Sequence, residues 1–354
     1  MFGGNRPVSG PACAGETIKE ESRMSGRIRF LLTVAVVAAI AMGFPVTGPA
    51  RAAWPERPVT LLVGFAPGGT MDLSARALAR ATEKVLGKPV VVENKTGGTG
   101  TVALAALLAQ KADGYTLCAT PSSVLIRVSQ MQRVPFKPLA SFRPILGFTT
   151  PQLGIVVKQD APWKSLAELV AYAKKHPGGV KYATTGVGST THAAVEELAA
   201  REKVRMIHIP YKGSIEALTA LLGGHVDFAS VTSEFIPSVK GGQARLLVTM
   251  GEKRSPKFPR VPTMKEAGYD FTNDAVYAVV APAGLPPEIA KKIEEAFARA
   301  VRDREFLEAL DRIDLVPVYY NSKAFNEFLQ AQWKIINRHL TSAGLIRQAA
   351  TPPE

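Results

Sequence analysis

From residue 59 onward, short apolar runs rich in β-branched residues alternate with longer segments whose apolar positions recur at three- and four-residue spacing. The runs at 59–65, 89–93, 115–119, 154–158, 180–183, 206–209, 226–231, 245–250 and 275–281 predict strands. The segments between them at 73–86, 99–110, 165–176, 190–201 and 214–222 predict helices, Ser165 and Ser214 suiting the N-cap positions. A strand–helix rhythm with near-continuous apolar strands is that of a parallel sheet covered on both faces, so the fold class is α/β. Residues 133–144, with three prolines, read as a loop after which a new set of units begins. Beyond 281 a proline-rich turn feeds a long helix ending near Asp303, and the remainder reads as mostly helical. Its last helix carries a stripe of Phe325, Phe328, Leu329, Gln332 and Ile336, with Trp333 beside it, that should pack as core.

The first 52 residues stand apart from this rhythm. Arg27 and Arg29 precede an apolar run at 30–44 and small residues around Ala50-Arg51-Ala52, the pattern of a secretory signal peptide cleaved after Ala52. An uncleaved anchor is the alternative, and Met24 would itself make an ordinary leader start. Cleavage leaves 302 residues, enough for two domains with buried cores, one continuous domain being the other option.

The whole chain carries a net charge of +13. Losing the six basic and three acidic residues of the first 52 leaves +10, which favours anionic partners or simply keeps the surface soluble. Lys and Arg are scattered rather than gathered on an aromatic-interleaved stretch or a reading helix, so nucleic acid is not an expected partner. Cys118 is the sole cysteine after residue 52; within Tyr115-Thr116-Leu117-Cys118-Ala119 it reads as a small buried strand residue, not a reactive thiol.

Two glycine-rich turns sit where a strand ends and a helix begins, one at 64–72 (Gly-Phe-Ala-Pro-Gly-Gly-Thr-Met-Asp) and one at 184–192 (Thr-Thr-Gly-Val-Gly-Ser-Thr-Thr-His). A helix start leaves backbone N–H groups unpaired and carries about half a positive charge, so glycines there admit a carboxylate or phosphate to the main chain. The pair reads as two halves of an anion clamp. The first turn lacks the Gly-Lys-Ser/Thr of a Walker loop and the spacing of a dinucleotide fingerprint. Asp72, in the first turn of its helix, complements the dipole or meets an amino group of a ligand, the former being favoured. Ser189 and His192 share a helix face, yet no nucleophile elbow or orienting acid accompanies them. Ser189 is a ligand donor or a cap; His192 is a structural or ligand contact, both readings open. The five histidines are dispersed without metal-ligand spacing, and His225-Val226-Asp227 follows Gly223-Gly224 as a surface turn. No cofactor, metal or catalytic set is expected.

In the order and spacing of its motifs the chain resembles the tripartite tricarboxylate transporter substrate-binding proteins, the Bug or TctC family of periplasmic receptors. The likeness rests on Trp54-Pro55-Glu56-Arg57-Pro58, Phe65-Ala66-Pro67-Gly68-Gly69 with Asp72, Val90-Val91-Val92-Glu93-Asn94 and Asp113-Gly114-Tyr115-Thr116-Leu117. In the second half it rests on Gly186-Val187-Gly188-Ser189 with His192, Pro210-Tyr211-Lys212-Gly213, Leu221-Leu222-Gly223-Gly224, Lys253-Arg254-Ser255 and Ala281-Pro282-Ala283-Gly284.

The resemblance implies a type II periplasmic-binding-protein fold, two α/β domains that close on a ligand between them. Domain I would take 53–150 and, with the C-terminal helices, 275–354; domain II would take 151–274, with hinge strands near 148–152 and 273–277. The implied contacts are Phe65, Gly68, Gly69, Thr70, Ser122 and Ser123 from domain I. Domain II would add Thr185, Gly186, Gly188, Ser189 and His192, with Thr232 as a further position. The implied role is a monomeric periplasmic receptor that holds a small organic carboxylate and passes it to the membrane permease of a tripartite tricarboxylate transporter. A receptor feeding a signalling partner is the alternative, and an enzyme on the same cleft is a more distant one. Met71 and Val231-Thr232 depart from more polar residues usual in the family, which points to a carboxylate with an apolar or aromatic remainder and away from an amino acid.

Overall fold

The structure, a computed structural model, describes residues 54–271, 275–342 and 346; the expected leader and Asn273 lie outside them. Two mixed sheets organise the chain. The first has six strands in the order β11-β4-β10-β3-β1-β2, and the second has five in the order β7-β6-β8-β5-β9. In the first, β1 (Val59–Val63) pairs in parallel with β2 (Val90–Asn94) and β3 (Thr116–Pro121). The sheet then turns antiparallel through β10 (Tyr277–Pro282), β4 (Phe142–Pro151) and β11 (Leu315–Asn321). In the second, β6 (Lys181–Thr184) pairs in parallel with β7 (Ile207–Pro210) and β8 (Phe228–Thr232). There β5 (Leu153–Lys158) lies antiparallel between β8 and β9 (Ala244–Thr249).

Both sheets are covered on both faces, which is why their strands read as unbroken apolar runs. Successive strand side chains point to opposite faces. Val59, Leu61 and Val63 accordingly enter one buried cluster while Leu62 enters another. Ile155 and Val157 likewise join one cluster of the second sheet and Val156 the other. Helices α1 (Thr70–Leu86), α7 (Pro287–Ala300) and α8 (Arg304–Arg312) contribute to one face of the first sheet. Helices α2 (Thr101–Leu108) and α9 (Ser322–Ser342) serve the other. The second sheet is covered by α3 (Leu166–Lys175) and α4 (Thr190–Glu202) on one face and α5 (Ser214–Leu222) and α6 (Phe235–Lys240) on the other.

Two strands depart from the expectation: β4 starts inside the loop expected at 133–144 and runs on into the hinge strand expected near 148–152, and β11 stands where helix was expected. β4 holds Pro144 and Pro151, and β11 holds Pro317; each lacks a donor for the ladder. Pro144 and Pro317 sit at register shifts, the β10–β4 irregularity at Val279/Val280 and the β11–β4 irregularity at Pro317/Tyr320. A bulge is where a sheet tolerates proline, so the residue that disguised these strands marks their irregular points. β4 runs through Gln152 straight into β5, and this crossing passes the chain from the first sheet to the second. In the last helix the buried row is Phe325, Leu329, Trp333, Ile336 and Leu340, so Trp333 is part of the stripe rather than beside it. Cys118 is fully buried in β3.

Candidate functional site

Both expected glycine turns open on one cavity between the lobes. α1 begins at Gly69, whose extended conformation lets the chain turn from β1 into the helix, and Gly69, Thr70 and Met71 line the cavity. β1 can end so close to the loop before α2 because residue 64 is glycine: a Cβ there would lie 2.7 Å from the Gly100 Cα. α4 begins after Ser189, which with Thr185, Thr190 and Thr191 lines the opposite wall. A third helix start joins them, since Gly213, Ser214, Ile215 and Glu216 of α5 line the same space. Phe65, Ser123 and Tyr277 complete the first-lobe wall, with Thr232 and Glu234 from the second. The cavity volume is about 60 Å³, room for roughly four waters or the head of a small anion.

The first-lobe amides are already engaged. Gly68 N–H donates to Asp72 Oδ2 at 2.9 Å, Gly69 N–H to Ala66 O at 3.4 Å and Thr70 N–H to Glu234 Oε1 at 2.7 Å. The last is the notable one, because Glu234 belongs to the second lobe and sets its own carboxylate on the start of α1. Its other oxygen accepts from the Thr232 hydroxyl. Thr232 is tied in turn to Ser214, whose Oγ accepts from Thr232 N–H at 2.9 Å and lies 2.7 Å from Thr232 Oγ1. Thr70 Oγ1 lies 3.0 Å from the Tyr277 hydroxyl, completing a polar chain across the cleft. Burial, with the Glu234 carboxylate adding to it, pushes the Tyr277 hydroxyl well above its ordinary pKa.

Asp72 braces the first loop and does not line the cavity. It accepts from Arg76 Nε at 3.0 Å and from Asn94 Nδ2 at 2.9 Å as well as from Gly68. Burial alone would raise its pKa, but these hydrogen bonds outweigh it and hold the carboxyl below the ordinary range. Ser214, expected as an N-cap, is the first residue of α5 after an extended Gly213, and its hydroxyl serves Thr232 instead.

Of the expected contacts, Phe65, Gly69, Thr70, Ser123, Thr185, Ser189 and Thr232 line the cavity, while Gly68, Ser122, Gly186, Gly188 and His192 do not. Each of the latter has a physical reason: Gly68 turns its N–H to Asp72 Oδ2. Ser122 is fully buried, stitching β3 to β10: its N–H donates to Val276 O and its Oγ accepts from Val276 N–H. Gly186 has φ +117° and faces Thr99 at the mouth of a neighbouring opening. Gly188, with φ +79°, packs on Val128 from the first lobe. His192 braces its own loop: Nδ1 accepts from Gly188 N–H at 3.2 Å and the ring stacks on His208 with centroids 4.2 Å apart. A backbone N–H can only donate, so the His192 proton sits on Nε2. Burial, reinforced by the Arg127 guanidinium, lowers its pKa to about 4.

Ser189 does cap α4, its Oγ accepting from His192 N–H at 3.2 Å and donating to Gly186 O at 2.7 Å. Close by, Arg127 reaches from the first lobe to Thr190, Nη1 lying 3.3 Å from its Oγ1. A cation at a helix start adds to the positive end of the dipole, so the two together raise the positive potential beside the start of α4. Arg127, Ser214, Glu234 and Tyr277 were not among the expected residues. Only Ser214 left a trace, a strand–glycine–helix junction with fewer glycines than the other two.

Among the described residues no group of three or more His, Cys, Asp or Glu side chains could hold a metal, and no helix is long and apolar enough to cross a membrane.

Comparison with known proteins agrees with this layout. The family model described as "Tripartite tricarboxylate transporter family receptor" matches residues 74–345. The UPF0065 protein in gbd 5'region of Cupriavidus necator is 37% identical over 305 residues, covering 85% of this chain and 93% of that protein. The periplasmic binding protein BugD superposes with a TM-score of 0.78 at 29% identity over 83% of this chain and 100% of that one. Rpa4515 of R. palustris, solved with adipate, gives 0.77 at 28% identity over 82% and 98%. The α/β arrangement with a cleft between two lobes is thus the periplasmic-binding-protein fold. The chain belongs to the tripartite tricarboxylate transporter receptor family.

Proposed function

We propose that the protein is a periplasmic receptor that closes on one small organic carboxylate and delivers it to a tripartite tricarboxylate-type permease. The observation that carries this reading is the convergence of three helix starts, from both lobes, on a single cavity. Helix starts concentrate positive potential, and with that of α1 taken up by Glu234 the starts of α4 and α5 are left to face an anion, chemistry for holding one rather than for transforming it. The carboxylate would rest at the starts of α4 and α5, in the part of the cavity that Thr185, Ser189 and Ser214 line, with Arg127 behind them. Each charge-assisted hydrogen bond would add about 1.5–3 kcal/mol. The remainder of the ligand would lie against Phe65, Met71, Ile215 and Leu153, an apolar wall that suits a hydrocarbon tail. That Rpa4515 was solved with adipate supports the ligand class.

In this reading 53–150 with 275–354 form the first lobe, 151–274 form the second, and the protein acts as a monomer without cofactor or catalysis. It would reach the periplasm through the cleaved leader at 1–52. Mass spectrometry of small molecules released from protein purified from its native periplasm tests the ligand class. A stoichiometric carboxylic acid is expected; release of only a neutral or cationic compound would refute the reading.

A further inference from the structure

The α1 start, the most glycine-rich of the three, is filled by the protein itself. Glu234 follows β8 in the second lobe, is half-buried, and lies 164 residues from the amide it occupies. One oxygen takes the Thr70 N–H at 2.7 Å and the other takes the Thr232 hydroxyl, itself held by Ser214. The side chain is therefore positioned from both lobes and faces the cavity that Thr70, Thr232 and Tyr277 also line. A Cβ at residue 69 would lie 3.4 Å from Glu234 Oε1, at ordinary contact distance, so the carboxylate sits directly against the helix start.

We propose, resting on the carboxylate-binding reading above, that Glu234 is a specificity determinant that occupies the first anion seat and so excludes ligands bearing a second carboxylate at that end. The ligand's only anionic group then goes to the α4 and α5 starts beside Arg127. Its far end, meeting a fixed negative charge already satisfied by Thr70 and Thr232, must be apolar or uncharged. A dicarboxylate would have to displace Glu234 from its amide or hold two like charges within one small cavity, both unfavourable. The cleft is thereby tuned to monocarboxylates by a repulsive element rather than by an added attraction.

The test is titration calorimetry of the chain from residue 53, as wild type, Glu234→Gln and Glu234→Ala, with two series of three probes, each series sharing one carbon count. Butyrate, succinate and 4-aminobutyrate differ only in the far group, and hexanoate, adipate and 6-aminohexanoate repeat the series two carbons longer. Wild type should favour the monocarboxylate over the dicarboxylate by about tenfold or more, and both variants should erase or invert that ratio. Circular dichroism of the variants should match wild type, since Glu234 is not core. An unchanged mono- to dicarboxylate ratio in both variants would overturn the assignment. So would a wild-type preference for the amino acids that depends on Glu234, because the side chain would then be an ammonium seat. If no probe binds any of the three proteins while another class of small molecule does, the receptor reading falls with it.

Discussion

The imidazoles of His192 and His208 stack with centroids 4.2 Å apart, and His208 stacks in turn on Tyr182, 4.9 Å away. This aromatic column stands directly behind the loop that carries Ser189, so the protonation of its members bears on the cleft from beneath. Burial lowers both histidines to about 4, Arg127 adding to the effect at His192 and His192 itself adding at His208.

Those depressed values set a pH window. The unfolded chain takes up these protons near 6.5, and the folded chain takes them up only near 4. Between those limits the unfolded state binds more protons, so stability falls as pH is lowered from 6.5 to 4 and levels off below, as far as these groups are concerned. Each ring contributes a slope of at most about 1.4 kcal/mol per pH unit. Urea unfolding from pH 7 to 4 should show this loss, and His208→Phe, which keeps the stack without a titrating proton, should flatten it. An equal slope in that variant would place the acid sensitivity elsewhere.

Two helix caps separate stability from binding. Ser165 caps α3 by accepting from Glu168 N–H at 3.2 Å, and Ser189 caps α4 by accepting from His192 N–H at the same distance. Replacing either by Ala should cost about 1 kcal/mol in denaturant titration. Only Ser189→Ala should also weaken carboxylate binding, because Ser189 lines the cavity and Ser165 does not. Equal affinities in the two variants would remove Ser189 from the ligand shell.

The two glycines of the expected clamp should respond differently to Ala. Gly186 has φ +117°, and a Cβ would lie 2.5 Å from Thr99 Oγ1; Gly186→Ala should destabilise by more than about 1 kcal/mol whatever it does to binding. Gly69 has φ −73°, and the nearest atom to its Cβ would be Glu234 Oε1 at 3.4 Å. Gly69→Ala should therefore fall within about 0.5 kcal/mol of wild type, its Cβ meeting Glu234 only at ordinary contact distance. Thermal unfolding compares them, and the reverse order would mean that the loop geometry is misassigned.

Much of the fold was legible because burial on both faces writes itself into sequence as unbroken apolar runs, of which Ile155-Val156-Val157 is a clear case. The first half of β4 and the whole of β11 were hidden by Pro144 and Pro317, because proline ordinarily argues against a strand interior. The loop glycines were legible as helix starts. What each would face was not, because the partner of the Thr70 amide lies 164 residues away and no spacing encodes such a contact. His192 is similar: its neighbour His208 comes from the adjacent strand β7, so only the sheet register (Tyr182↔His208) reveals the stack.

The most direct test of carboxylate capture at the α4 and α5 starts is calorimetric titration of a monocarboxylate into wild type and Thr185→Ala/Ser214→Ala. One site per chain is predicted for wild type, with affinity falling about tenfold or more in the double variant as two hydroxyls that line the anion's seat are removed. Unaltered affinity in the double variant, with one site still occupied, would contradict the account.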